Sequence, residues 1–104
     1  MAREQLKTLT EQMYYIMLVL RHENFGYGIM EDVKKRTNGR IEIGAGTLYA
    51  LLARFEKENI IRCTKEEERK RYYQLNERGE QMLKDEYTRL KQLILDGEEL
   101  EDAK

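Results

Sequence analysis

Apolar residues recur along this chain with two different periods, and the switches between them mark out seven elements. Leu6, Leu9, Met13, Ile16, Met17 and Leu20 form one stripe at helical spacing, which Tyr14, Tyr15, Leu18 and Val19 widen almost all round. Two threonines are candidate starts for this first helix. Thr8 makes a capping box with Glu11, while Thr10 puts Leu9 and Tyr14 at staple positions. A helix that is apolar on most sides needs two partners, here its own core and a second subunit. Glu23-Asn24-Phe25-Gly26 reads as a turn. A second helix over Tyr27–Thr37 presents Ile29, Met30 and Val33 inward and stops at Asn38-Gly39. Arg40-Ile41-Glu42-Ile43 alternates, which predicts a short strand.

Gly44 is the expected N-cap of a third helix. Leu48, Leu51, Leu52 and Phe55 give it a clean buried face, and Thr47, Ala50, Arg54 and Lys57 lie on an open one. Glu58-Asn59 ends it. Ile60–Thr64 and Arg71–Leu75 then read as antiparallel strands, with Ile61 and Cys63 sharing a face with Tyr73 and Leu75. The polar segment Lys65–Lys70 is the hairpin tip. Asn76 caps a last helix with Gly79 in its first turn. Leu83, Tyr87, Leu90, Ile94 and Gly97 form a heptad-like seam along it that leads away from the domain and calls for a partner chain.

The predicted fold class is mainly α (α+β). Three helices followed by a strand hairpin make a winged helix-turn-helix, here with an added C-terminal dimerisation helix. Residues 1–78 are expected to form the DNA-binding domain, and residues 79–104 the dimerisation helix and an acidic tail.

Charge sharpens this reading. The 104 residues carry a net charge of −1, which argues against a generally basic nucleic-acid coat protein. Residues 1–39 carry a net +1, residues 40–78 a net +2 and residues 79–104 a net −4, so an acidic tail hides a mildly basic middle. Arg69, Lys70 and Arg71 are its densest cluster, at the hairpin tip beside Glu66, Glu67 and Glu68. With a single cysteine, Cys63, there is no internal disulfide and no cysteine-based zinc site. Neither a metal nor a cofactor is expected. The longest apolar run, Met13–Leu20, is too short to span a bilayer and is flanked wrongly for a signal peptide, so a cytoplasmic protein with no membrane partner is expected. His22 reads as a surface residue at a helix end. Without a Gly-rich phosphate loop, metal-ligand spacing or a nucleophile–base set, catalysis is not expected.

Four short motifs recur in order. They are Gly26-Tyr27-Gly28-Ile29, Gly46-Thr47-Leu48-Tyr49, the segment Leu52–Glu58, and Arg69-Lys70-Arg71-Tyr72-Tyr73-Gln74-Leu75-Asn76-Glu77-Arg78-Gly79. Together they resemble the PadR family of bacterial transcriptional regulators, over about Leu9–Leu95. The compact length is similar to that of its smaller subfamily, with a single terminal helix. The resemblance implies a homodimeric repressor that binds a pseudo-palindromic double-stranded operator and lets go when a phenolic or drug-like effector binds. Where many members have proline, this chain has Ala45. It also lacks the tryptophan that some relatives place on the last helix, so stacking on a planar ligand would fall to Tyr14, Tyr15 and Tyr87.

The candidate DNA contacts are Tyr27, Gly46, Thr47, Tyr49, Ala50, Arg54, Lys57, Arg69, Lys70 and Arg71. Arginine pairs bidentately with guanine, and wing cations with phosphate. The blander alternatives are that Thr47 only supports the helix start, that Tyr49 packs beside the second helix and that the tip is merely solvated. The expected dimer interface is Met13, Met17, Leu83, Tyr87, Leu90 and Ile94, and the expected effector cleft Met13, Tyr14, Tyr87 and Leu90. The rival from another class is a winged-helix protein–protein interaction module that binds no DNA, for which the small net charge is the best support.

Overall fold

The computed structural model describes residues 8–102. Leu6, placed on the first stripe, lies outside them. Four helices surround a three-stranded antiparallel sheet. Helix α1 spans Glu11–Val19 and is capped by Thr10, whose hydroxyl accepts the Met13 amide at 3.1 Å. Of the two threonines that could start it, Thr10 does so. A two-residue strand β1, Asn24–Phe25, leads into α2, Gly26–Arg36. Helix α3 is Ala45–Lys57, with Gly44 at its N-cap as expected. Strands β2, Ile61–Glu67, and β3, Lys70–Leu75, form the wing, and α4 runs over Glu77–Asp96. Asn76 caps α4 by accepting the Gly79 amide at 2.8 Å. A short 3-10 turn, Glu98–Glu101, follows.

Three sequence expectations are corrected. The segment read as a turn before α2 contains β1, which pairs Asn24 with Tyr73 and Phe25 with Tyr72. It takes the outer edge of β3, so the strand order is β1-β3-β2. Arg40–Ile43 is not a strand, because that edge is already occupied. Its alternation instead packs a loop: Ile43 is buried, Ile41 half-buried, and the Thr37 hydroxyl accepts the Ile41 amide while donating to the Val33 carbonyl. The wing is longer than the two runs suggested, for Glu67 pairs with Lys70 and Glu66 with Arg71 across the ladder. Opposite charges facing each other support such pairing. The tip thereby shrinks to Glu68 and Arg69, both left-handed at φ 50° and 68°.

The core is continuous from α1 to α4. Ile16, Met17, Leu20, Ile29, Val33, Leu48, Leu52, Phe55 and Ile60 are all sealed from solvent. As expected, Ile61 and Leu75 face each other across the wing base, and Cys63 faces Tyr73. A bulge after Cys63 then leaves Thr64 without a cross-strand partner. The Leu75 amide donates to the Leu20 carbonyl at 2.8 Å, and the Asn76 amide to the Ile60 carbonyl at 3.1 Å. Gly79 lies against that same Ile60 carbonyl. A Cβ there would collide with it, so only glycine lets α4 cross this corner.

Glu86 fastens α4 to the start of the chain. Although a carboxylate, it is 4% exposed. It accepts the Arg89 guanidinium twice, at 2.9 and 2.7 Å, and the Leu9 amide at 3.4 Å. The Arg89 hydrogen bond holds its pKa below the usual carboxylate value against the opposing effect of burial, with the Leu9 amide assisting. A depressed carboxylate stabilises the fold above its unfolded pKa, about 4.3, and that contribution disappears as pH falls through the lower folded value. Glu86→Gln is therefore expected to lose about 1.5–3 kcal/mol at pH 7. Urea unfolding at pH 7 and pH 3 should show the gap to the parent narrowing in acid. A gap independent of pH would contradict this account.

Candidate nucleic-acid interface

Helix α3 has two unlike faces. Leu48, Leu52 and Phe55 are buried, and Thr47, Tyr49, Ala50, Ala53, Arg54 and Lys57 are exposed. Its first turn is open as well. No side chain caps its N-terminus, nor that of α2, in contrast to α1 and α4, so no side chain occupies its leading amides. A Cβ added to Gly44 or Gly46 would touch nothing within 4 Å. Neither glycine has a left-handed backbone, so nothing inside the protein demands its small size. Arg54 and Lys57 form no ion pair with any described residue.

Beside this face lies a cleft of about 490 Å³ between the start of α2, Tyr49 of α3 and the wing. It gathers five of the expected contact residues, Tyr27, Tyr49, Arg69, Lys70 and Arg71, and adds Phe25 and Tyr73. Gly46, Thr47, Ala50, Arg54 and Lys57 do not line it and form the separate outer face of α3. Tyr49 packs on Gly26, where a Cβ would run into its hydroxyl. It is nevertheless 53% exposed, so Tyr49 packs beside the second helix and still presents surface to solvent. No sequence signal marks Phe25, which lies in a segment with turn composition, whereas the alternation of Arg71 and Tyr73 puts both on one strand face.

The three wing cations are not equivalent. Arg71 is tied to Glu56 of α3 at 3.3 Å and to Glu66 at 3.4 Å. Its guanidinium is held even more firmly charged than usual, chiefly by a hydrogen bond to the Cys63 thiol and then by Tyr73. Glu67 is engaged by Lys65, which also meets Glu23. Glu66 and Glu67 therefore neutralise Arg71 and Lys65. Arg69 and Lys70 have no carboxylate partner among the described residues, and the Lys70 ammonium stands 4.7 Å from the centre of the Phe25 ring.

The residues expected at a dimer interface divide. Met13, Met17 and Leu83 belong to the protomer's own core, Leu90 is half-buried, and Tyr87 and Ile94 are exposed. Leu93 and Leu95 join them as exposed apolar residues on the outer half of α4. A groove of about 220 Å³ between α1 and α4 is lined by Tyr14, Leu18, Leu83 and Tyr87, with Arg21, Glu80 and Lys84 at its rim. It contains Tyr14 and Tyr87 of the expected effector cleft, but not Met13 or Leu90. Burial pushes the Tyr14 phenol up, as do the nearby Tyr87, Tyr15 and Glu86. Among the described residues no cluster of His, Cys, Asp or Glu could hold a metal ion, and no helix is long and apolar enough to cross a membrane.

A model of the transcriptional regulator PadR-like family matches residues 16–85, from α1 to the first half of α4. The chain belongs to this family. PadR-like proteins are non-enzymatic regulators of transcription. The chain is 28% identical over 86 residues to an uncharacterised protein of Lysinibacillus sphaericus, covering 76% of this chain and 79% of the relative. A transcriptional regulator from Clostridium thermocellum shares its fold with a TM-score of 0.73 and 25% identity, over 83% of this chain and 88% of that one. Bacillus subtilis PadR, solved in complex with operator DNA, is 28% identical with a TM-score of 0.59. That match covers 69% of this chain and 44% of the Bacillus subtilis protein.

The open space over Gly46 has a consequence for stability. Alanine is favoured over glycine in a helix by about 1 kcal/mol, and here the added methyl meets nothing. In this PadR-like regulator Gly46→Ala should raise the thermal midpoint, as calorimetry can check. A fall would mean that the glycine serves the isolated fold.

Proposed function

We propose that this PadR-like regulator binds double-stranded DNA as a homodimer, with the exposed face of α3 in the major groove and the wing against the flanking backbone. The observation that carries this reading is the open first turn of α3. Its uncapped amides and spare room over Gly46 adjoin a face carrying Arg54 and Lys57, which have no ion-pair partner among the described residues. A helix start so exposed suits close approach of a phosphate. That Bacillus subtilis PadR was solved in complex with operator DNA supports DNA as the partner.

The contacts divide by physical role. Tyr27, the amides around Gly46, Arg69 and Lys70 supply salt-dependent affinity for phosphates. Thr47, Ala50 and Arg54 supply base discrimination, on the order of 1–3 kcal/mol for a good bidentate pair. Lys57, further along α3, adds positive charge, and Tyr49 shapes the junction with the wing. Arg71, held by Glu56 and Glu66, works mainly through its charge and its hold on α3.

Dimerisation falls to the outer half of α4. Residues 79–104 then serve as the joining arm of a DNA-binding unit formed by residues 1–78. Tyr87, Leu93, Ile94 and Leu95 are too apolar to remain in water on a helix that has left its domain. Met13, Met17 and Leu83 support α4 from within. Pairing of two such helices would set the reading helices about 34 Å apart, one duplex turn, on a pseudo-palindromic operator. The regulator acts as a repressor in the cytoplasm. A small aromatic effector in the groove beside Tyr14 and Tyr87 relieves repression by favouring a spacing that no longer matches the duplex.

Fluorescence anisotropy on operator and mixed duplexes at two salt concentrations tests the contacts. Arg54→Ala should bind all duplexes with similar affinity, having lost preference. Lys70→Ala should bind every duplex more weakly, with the salt slope reduced by about one unit. Parental behaviour in both variants would refute the contact map. Ile94→Asp tests the dimer. Its side chain is 68% exposed, so the protomer should fold normally while sedimentation shows monomers and operator affinity collapses. A dimer that survives the charge would place the interface elsewhere.

A further inference from the structure

A dense positive patch lies at the end of α2, outside the contacts assigned above. Lys34, Lys35, Arg36 and Arg40 fall within residues 34–40, all four are exposed, and no Asp or Glu lies among those residues. A helix C-terminus carries roughly half a unit of negative charge, which a single cation answers. Lys34 meets Glu42 at 3.7 Å. Lys35, Arg36 and Arg40 form no ion pair with any described residue. The patch is also held in shape. The Thr37 hydroxyl braces its turn against Val33 and Ile41, Asn38 and Gly39 are left-handed, and the Tyr15 hydroxyl accepts the Arg40 guanidinium at 3.5 Å.

Two contacts place α3 along α2. The Lys34–Glu42 ion pair holds the approach to Gly44, the N-cap of α3, beside the last turn of α2. Tyr49, one turn into α3, packs on Gly26 at the start of α2. The first turn of α3 therefore lies between the two ends of α2. From Tyr27 to Lys35 the helix rises about 12 Å, and the major groove is about 12 Å wide. We propose that the end of α2 is a second phosphate-binding station. With the first turn of α3 in the groove, Lys35, Arg36 and Arg40 meet the strand opposite the one held by Tyr27 and the wing. Lys34, engaged by Glu42, contributes less. Gripping both walls of the groove adds affinity and fixes orientation without reading bases. This inference rests on the DNA binding proposed above.

Anisotropy titrations of the full chain on duplex DNA at about 50 and 200 mM salt test it. The double variant Lys35→Gln, Arg36→Gln should bind all duplexes roughly tenfold more weakly, with the salt slope reduced by about two units and the ranking of sequences unchanged. Both side chains are exposed, and circular dichroism checks that the variant folds. The charge-keeping pair Lys35→Arg, Arg36→Lys should bind like the parent, which a merely structural role for the native side chains would not predict. Duplexes carrying a neutral methylphosphonate at one linkage then locate the contact. Neutralising the right phosphates should weaken the parent but not the double variant. Those phosphates should lie on the strand across the major groove from the ones that lose their effect in Lys70→Ala. An unaltered slope in the double variant, or phosphates shared with Lys70, would overturn this proposal while leaving the DNA reading intact. A parent that ignores every duplex would overturn both. The rival occupant is the acidic tail of a second copy, Glu98–Asp102. If the double variant loses self-association in sedimentation and keeps parental DNA binding, the patch belongs to that tail and not to DNA.

Discussion

The corner at Ile60 is where the structure is held together. The carbonyl of this residue accepts the Asn76 amide and touches Gly79, while its side chain is sealed in the core. The end of α3, the base of the wing and the start of α4 therefore meet around one peptide. The left-handed Asn59 before it lets the chain turn from helix into strand. The Leu75–Leu20 hydrogen bond ties the same place to the end of α1. Fixing this corner fixes the angle between α3 and the wing, and also the direction in which α4 leaves. Both determine where a pair of such domains would touch a duplex.

Charge is distributed by pairing more than by sum. A net charge of −1 looks unpromising for a protein that meets nucleic acid. The wing nevertheless pairs two of its three glutamates locally, with Glu66 on Arg71 and Glu67 on Lys65. Among the described residues, Arg69 and Lys70 of the wing and Arg54 and Lys57 of α3 are left without a carboxylate partner. Exposed ion pairs contribute little to folding stability. Here their larger effect is to decide which cations are left available to a partner.

The four helices are legible in the sequence because each one repeats a physical signal several times. Examples are the Leu48–Phe55 face, the Thr10 and Asn76 caps, and the Asn38-Gly39 stop. Strand β1 is not legible, since two residues cannot display alternation and their partner strand is distant in the chain. Arg40–Ile43 misleads for a related reason. Alternating burial of Ile41 and Ile43 arises equally well in a loop braced by Thr37. Of the candidate site, the outer face of α3 and the wing cations can be read from spacing. Their convergence with Phe25 and Tyr73 on one cleft cannot, because it depends on how β1 docks against β3. Nor does periodicity reveal that Met13, Met17 and Leu83 are used up inside the protomer, for an inward stripe and an interface stripe look the same.

The tip of the wing makes its reversal with Glu68 and Arg69, although asparagine and glycine form such left-handed turns far more easily. Replacing Arg69 by glycine would relax the backbone and delete the outermost cation in one step. On the contact map proposed above, thermal robustness and grip pull in opposite directions at this residue, so selection for heat resistance alone would erode the apex.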